Sequence, residues 1–214
     1  MATRILILIS IFLFSTPVIT AQDVSKKIKL GVSASLEKNV SSKRVAFCEY
    51  TGFFADYNKS NYRFGLNLEY LLKGNLTING SLNYSNKDFT GTYFCDVCDF
   101  IFPSNPENVE LRLIEVPIAL KYYLLPGKVR LFGEVGVSNM FPLNNLQYEA
   151  TTNSYVIGYK LGSGMEYNVS NKIALQLTVD YYNSISKIFE DSYFAGSGYG
   201  LRSVGFGLTI LKKI

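Results

Sequence analysis

The amino-acid sequence predicts an all-β protein, an eight-stranded antiparallel up-and-down transmembrane β-barrel. Three observations predict this fold class: an initial apolar run too short to span a membrane as a helix, eight segments in which apolar and polar residues alternate, and connections that alternate between short and long. The composition agrees, since Tyr (16), Phe (15) and Gly (17) are abundant and only 18% of residues are charged. The dispersed net charge of +4 does not favour nucleic acid as a partner.

The first residues have the pattern of a secretory signal peptide. Arg4 is followed by an apolar run at 5–14 and by small residues at 20–21. We therefore predict a signal peptide at 1–21 and an outer-membrane β-barrel domain at 22–214. Because no later segment has the roughly 18 continuous apolar residues of a membrane-spanning helix, an exported chain of this kind is either soluble or spans a membrane as a closed barrel.

Eight later segments alternate between apolar and polar residues, which predicts strands with one apolar face. Each is close to the length that a tilted strand needs to cross a bilayer. The segments lie at 28–37, 62–72, 76–84, 115–124, 129–137, 155–166, 172–181 and 203–210.

The connections between these segments alternate in length. Three are tight turns built from Gly, Pro and Asn, at 73–75, 125–128 and 168–171. Four are long, at about 38–61, 86–109, 139–153 and 183–199. Outer-membrane barrels have short periplasmic turns and longer extracellular loops, so this pattern predicts that both termini are periplasmic.

The apolar faces of the segments are predicted to point outward. About five large apolar residues per strand are too many for the interior that eight strands enclose, whereas the polar faces are rich in small residues that fit there. The polar faces also carry the charges of the strand centres. A soluble lipocalin-like carrier, with its apolar face inward, is the alternative that this consideration disfavours.

Charges on the polar faces are predicted to pair in the lumen, because buried charges without partners are costly. We expect a salt-bridged plug that closes the lumen. Its predicted members are Lys29, Arg63, Glu69, Glu115, Lys121, Arg130, Glu134, Lys160, Glu166 and Asp180, with Glu37 and Lys172 completing six charges of each sign.

The segment at 115–124, with the sequence EVPIALKYYL, resembles the central motif of the PorT-like outer-membrane β-barrel family, which is common in Bacteroidetes. Its motif positions are Glu115, Pro117, Lys121, Tyr122 and Tyr123. The later GSGMEY sequence and the AQ at the end of the signal resemble the same group. The resemblance implies an outer-membrane barrel of this type, whose founding member takes part in protein secretion. Since Pro117 lacks an N–H inside a strand, we expect a local β-bulge there.

Three cysteines lie in two of the long connections: Cys48 in the first, and Cys95 and Cys98 in the second. In an exported protein they predict a structural disulfide. It joins either Cys48 to one of the other two, which tethers the two loops, or Cys95 to Cys98. Three cysteines without His make a poor zinc site, so no metal is expected.

The second long connection is rich in aromatic residues. We expect these residues either to cap the barrel mouth or to contact a partner. The residues are Phe89, Tyr93, Phe94, Phe100, Ile101 and Phe102.

The sequence contains no His, which excludes Ser-His-acid catalysis. We therefore expect no enzyme and no cofactor. The leading functional prediction is a monomeric outer-membrane barrel with a closed lumen and long surface loops for binding or structural support. Its expected partners are outer-membrane lipid and envelope or secretion proteins that bind the loops. The alternative is a PorT-like component of a secretion or envelope-assembly machine.

Overall fold

The protein is described by a computed structural model that covers residues 27–41, 44–46, 50–95, 105–125, 127–144, 151–190 and 198–214. In this part of the chain, no helix is long and apolar enough to cross a membrane. The strands are β1 (Ile28–Asn39), β2 (Arg44–Ala46), β3 (Thr51–Asp56), β4 (Asn61–Lys73), β5 (Leu76–Asn86), β6 (Phe89–Cys95), β7 (Glu107–Val109), β8 (Arg112–Tyr123), β9 (Val129–Pro142), β10 (Thr151–Thr152), β11 (Val156–Asn168), β12 (Ile173–Ser184), β13 (Phe189–Glu190), β14 (Gly198–Tyr199) and β15 (Arg202–Lys213).

Eight of these strands close into an antiparallel barrel in the order β1-β15-β12-β11-β9-β8-β5-β4, and β4 pairs with β1. The predicted fold class is therefore confirmed. Most barrel strands extend further toward the long loops than predicted; β9, for example, continues to Pro142. We call this end of the barrel the loop end. Here polar residues such as Ser138 and Asn139 are adjacent in the sequence, so apolar and polar residues no longer alternate although the strand pairing continues.

The apolar faces of the barrel strands point outward, as predicted. Leu66 is 61% exposed and Val135 is 56% exposed, whereas Glu69 and Glu134, on the opposite faces of the same two strands, are buried inside the barrel. A continuous apolar surface around a polar interior suits a lipid environment. It contradicts the alternative of a soluble carrier, which would place the apolar residues inside.

Aromatic side chains gather at both edges of this apolar surface. At the loop end, the rings of Tyr62, Phe64 and Tyr84 contact one another, with centroids 5.3–6.5 Å apart. At the opposite end, which we call the turn end, Tyr122 and Tyr167 are exposed on the outer surface. Their amphipathic rings suit the boundary between lipid tails and headgroups.

The prediction of a bulge at Pro117 is wrong. The pairing of β8 with β9 runs without a shift through Pro117↔Ser138. Between β5 and β8 the same register holds on both sides of a short gap, from Gly80↔Ile118 to Asn83↔Glu115. β5 and β8 therefore accommodate the missing N–H of Pro117 by leaving the residues around it unpaired, and not by a bulge with an extra residue. A register shift occurs instead next to the β4–β5 turn, where Gly74 has a φ of 59°.

The long connections form β-structure of their own, which the sequence did not predict. β2, β3, β6 and β7 form one sheet, and β10, β13 and β14 form another. These strands have two to seven residues, so most are too short for a recognisable alternation. We call these two sheets the loop platform.

The outward orientation predicts how the barrel responds to charge on its surface. Leu66→Arg places a cation in the middle of β4 and should lower the free energy of unfolding in lipid vesicles by about 2–4 kcal/mol. Leu124→Arg is the matched control, because Leu124 is equally exposed (62%) but lies at the turn end. Its effect should be about 0–1 kcal/mol. Urea titrations of folding measure both, and equal effects would contradict the assigned surface.

Candidate functional site: the charge-filled lumen

The turn end of the lumen holds three cations and two carboxylates in contact. Lys29 Nζ lies 2.8 Å from Glu166 Oε2 and 3.2 Å from Glu69 Oε2. Lys121 donates a hydrogen bond to Glu69, and Arg130 donates one to Glu166. Because Lys29 contacts both carboxylates, it joins the two pairs into one cluster.

Tyr123 and Gln176 bind the same two carboxylates. The Tyr123 hydroxyl donates to Glu166 Oε2 at 2.7 Å, while Gln176 Nε2 lies 2.7 Å from Glu166 Oε2 and 2.9 Å from Glu69 Oε1. The guanidinium of Arg130 lies 3.9 Å from the centre of the Tyr123 ring, at cation–π distance. These neutral side chains satisfy carboxylate lone pairs that the cations leave open, which is the condition under which buried charges are tolerated.

Glu134 and Asp180 continue the arrangement through the middle of the lumen. Lys121 Nζ lies 3.9 Å from Glu134 Oε2, so it connects the turn-end cluster to the centre. Lys160 Nζ lies 2.8 Å from Glu134 Oε1 and 3.7 Å from Asp180 Oδ2. Asn79 donates a further hydrogen bond to Glu134 at 3.3 Å.

Arg63 organises the charges nearest the loop end. It donates a hydrogen bond to Asp180, and its Nη1 lies 3.0 Å from Glu37 Oε1 and 3.6 Å from Glu115 Oε2. Lys87 donates to Glu37 and lies 3.4 Å from Glu115 Oε1. The Asn39 amide binds the backbone carbonyl of Lys87 at 2.8 Å, which fixes the chain where it leaves β5.

The ion pairs form one uninterrupted chain along the barrel axis, from Arg130 at the turn end to Lys87 at the loop end. We call these twelve residues the lumen network. Its cations are Lys29, Arg63, Lys87, Lys121, Arg130 and Lys160, and its anions are Glu37, Glu69, Glu115, Glu134, Glu166 and Asp180. Six charges of each sign make it neutral.

The structure brings together all ten lumen residues singled out in the sequence, and also Glu37. It differs from the sequence prediction at one cation. Lys172 is exposed at the β11–β12 turn and has no carboxylate partner in the described part of the chain. Lys87, which the sequence analysis assigned to a loop, takes the sixth place and is 1% exposed. The sequence pattern does indicate this position, because Lys87 continues the alternate polar positions of β5 after Asn83 and Ser85.

Small residues in the wall make room for these long side chains. A Cβ at Gly162 would lie 2.7 Å from Glu134 Cγ, and one at Gly205 would lie 2.5 Å from Asp180 Oδ1. The cavity between Arg63, Lys160 and their neighbours measures only about 30 Å³. This volume has room for only a few water molecules.

An apolar cluster lies at the loop end of the lumen, next to the network. Met140, which pairs with Glu115 across β8 and β9, points into this cluster. The loop platform contributes further members, among them Phe89 and Tyr199, whose ring centroids are 5.7 Å apart. We call the cluster the apolar plug: Ala55, Phe89, Val109, Leu111, Leu113, Met140, Val156, Tyr182, Ile188, Tyr199 and Leu201.

The aromatic residues of the second long connection divide between these surroundings. Phe89 is buried in the apolar plug, and Phe94 is buried against Phe54, with ring centroids 4.8 Å apart. For Phe89, a packed cap describes the structure better than a free binding surface, whereas Phe94 packs within the loop platform. Tyr93 lies in β6, but its side chain lies outside the described part, as do residues 100–102.

Cys95 is disulfide-bonded. Its two candidate partners, Cys48 and Cys98, lie outside the described residues, so the choice between them stays a prediction. No group of three His, Cys, Asp or Glu among the described residues is arranged to hold a metal ion.

Residues 6–210 match the family described as outer membrane protein beta-barrel domain. The chain belongs to this family. The barrel is therefore an outer-membrane protein in contact with lipid. No curated protein matches the sequence significantly.

Solved structures of outer-membrane barrels are similar to the fold. OprG from Pseudomonas aeruginosa has a TM-score of 0.61 at 12% identity, over 89% of this chain and 97% of OprG. Neisserial surface protein A has a TM-score of 0.51 at 11% identity, over 87% of this chain and 97% of that protein. The outer membrane enzyme PagL has a TM-score of 0.47 at 11% identity, over 83% of this chain and 97% of PagL. At these identities the likeness concerns the fold alone.

Arg63 provides a test of the lumen network. Arg63→Met leaves the carboxylates of Glu37, Glu115 and Asp180 short of one positive charge inside the barrel. It should lower the free energy of unfolding by about 3–5 kcal/mol. Arg112→Met is the matched control, because Arg112 pairs with Glu110 at 2.8 Å on the surface. Its cost should be about 0–1 kcal/mol.

Reversible unfolding by urea in lipid vesicles, followed by tryptic protection and gel mobility, measures both variants. A loss for Arg63→Met no larger than that for Arg112→Met would show that the lumen charges are solvated individually rather than held as a network.

Proposed function

We propose that this protein is a closed, non-conducting and non-enzymatic barrel that acts as a rigid base for its loop platform at the cell surface. The observation that carries the proposal is the lumen network, whose ion pairs run without interruption along the barrel beside a cavity of only about 30 Å³. The loop platform then binds a ligand or supports another envelope component. We place it outside the cell because outer-membrane barrels have short turns on the periplasmic side.

The network favours a closed state for an energetic reason. A permeating ion needs a continuous path of water or free charged groups, but here each carboxylate already contacts a cation. Separating even one buried pair costs several kcal/mol, because a charge is left without its partner in a region of low polarisability. The apolar plug supports closure at the loop end, because most of its buried side chains are hydrocarbon and offer few groups that replace the hydration shell of an ion.

Polar contacts between the barrel rim and the loops support the idea of a rigid platform. Asp88 Oδ1 accepts a hydrogen bond from the Leu111 amide at 2.9 Å, and the Asp88 amide donates to Asn61 Oδ1 at 2.9 Å. Tyr57 donates to the Tyr199 hydroxyl at 3.2 Å, and burial raises the pKa of Tyr57, so this contact stays neutral. Such contacts hold the bases of the platform strands, while Phe54, Asp56 and Glu107 are exposed among the platform side chains that the structure describes.

A PorT-like role in secretion or envelope assembly is the second candidate, and the motif at 115–124 supports it. Glu115, Lys121 and Tyr123 point into the lumen and take part in its hydrogen bonds. These motif positions thus have a structural use that requires no partner, so the secretion role rests on the resemblance alone. We also propose that 1–21 is removed as a signal peptide, that the barrel belongs to a Bacteroidetes-type envelope, and that it is monomeric.

Conductance in planar bilayers tests the closed barrel. The unmodified protein should give no stable open level, while insertion is verified by heat-modifiable gel mobility and protease protection. The double variant Lys121→Ala with Tyr123→Ala removes two large lumen side chains and should give brief, small currents as water enters. A stable open level in the unmodified protein would contradict the proposal.

Affinity capture separates the two candidate functions. If the protein is part of a machine, the full barrel should copurify with defined envelope proteins, and replacement of β6 and β7 with a short Gly-Ser turn should abolish this. If the platform binds a ligand instead, no stoichiometric protein partner should appear. A partner retained after the replacement would contradict binding through the platform.

A further inference from the structure

A second cavity, of about 140 Å³, lies at the turn end of the lumen, and we call it the basic vestibule. It is separate from the small central cavity and is lined by Lys27, Lys29, Glu69, Leu71, Thr77, Tyr123, Arg130 and Lys213. Four of these eight residues are cations, and only one is a carboxylate.

The strand pairing explains why the cations meet there. Lys29 lies in β1, and Lys27, two residues before it, lines the same cavity. Lys213 lies directly across from Lys29 in the antiparallel pairing of β1 with β15. Arg130 pairs with Glu166 across β9 and β11, so its side chain enters the lumen at the same level as that carboxylate.

Two of these cations are in excess of the lumen network. The network itself is neutral, because its six carboxylates balance its six cations. Lys27 and Lys213 are not among them, and neither ammonium has a carboxylate within ion-pair distance in the described part of the chain. Among the described side chains, the lining of the basic vestibule therefore has two more positive charges than the side-chain carboxylates there balance.

Arg130 adds an unsatisfied donor. Its Nη2 binds Glu166, but its Nε is buried without a hydrogen-bond partner among the described residues. Burying such a donor without an acceptor is unfavourable. Because Nε has no accessible surface, an anion in the vestibule would compensate the charge of the guanidinium and the two lysines rather than accept a hydrogen bond from Nε.

We propose that the basic vestibule binds a phosphate group presented from the periplasmic side. Inorganic phosphate and phosphate monoesters carry between one and two negative charges at neutral pH, and a phospholipid phosphodiester carries one. Both present acceptor oxygens to two ammonium groups beside a guanidinium. The phosphate belongs either to a soluble phosphate compound or to the headgroup of a phospholipid in the facing leaflet.

The first test uses inorganic phosphate and the full barrel in an uncharged maltoside detergent at low ionic strength. Phosphorus NMR titration should show saturable binding. Lys27→Gln and Lys213→Gln should each weaken it about tenfold, the loss of one charge-assisted hydrogen bond. Lys73→Gln is the matched control, because Lys73 is exposed at the same end of the barrel but does not line the vestibule. It should leave the affinity unchanged.

The second test distinguishes the sources. The barrel is placed in phosphatidylcholine nanodiscs with or without phosphatidylglycerol, and the inorganic phosphate titration is repeated. If phosphatidylglycerol competes with inorganic phosphate, and Lys213→Gln abolishes this competition, the site binds a lipid headgroup. If phosphatidylglycerol leaves phosphate binding unchanged, the site binds a soluble phosphate compound. The proposal is overturned if the unmodified barrel binds no phosphate in either medium, or if Lys73→Gln weakens binding as much as Lys213→Gln does.

Discussion

The interior of an eight-stranded barrel is only as wide as the side chains that fill it. In this protein twelve of those side chains form the lumen network, in which every cation contacts an anion and the wall leaves space for both. Arg63 shows how strong this requirement is, since it contacts three carboxylates from three different strands. The neutrality of the lumen network is the condition on which the rest of the barrel depends.

Several other features follow from this condition. Glycine occupies wall positions such as Gly162 and Gly205 because a side chain there would collide with a carboxylate of the network. Gln176 and Tyr123 occupy the spaces between like charges, where they bind Glu69 and Glu166 without adding charge. Beside the network, the described residues place an excess of positive charge at the turn end, where Lys213 lies at the end of β15. The lumen network is thus electrically neutral, whereas the basic vestibule has the positive charge to attract an anion.

Much of the barrel was predictable because period-two alternation is a direct consequence of strand geometry. The faces of β4 and β8, and with them most of the charged lumen residues, follow from that period. The sequence did not place Lys87 in the lumen because the apolar positions of β5 stop at Tyr84, although the strand itself continues to Asn86. The platform strands were missed for a related reason: pairs such as β13 and β14 have two residues each and depend on tertiary contacts. At Pro117 the expectation that a proline inside a strand requires a bulge was wrong, because the pairing of β8 with β9 continues through this residue without a shift.

The most direct test of the lumen network is a measurement of contacts between side-chain nitrogens and carboxyl carbons in lipid bilayers. Solid-state NMR with ¹⁵N–¹³C dipolar recoupling on the fully labelled barrel provides it. The structure predicts transfer from Lys160 Nζ to the Glu134 carboxyl and from Lys29 Nζ to the Glu166 carboxyl, where the nitrogen–oxygen distance is 2.8 Å in both pairs. Absence of both contacts, with carboxyl shifts typical of protonated acids, would contradict a neutral chain of ion pairs as the filling of this barrel.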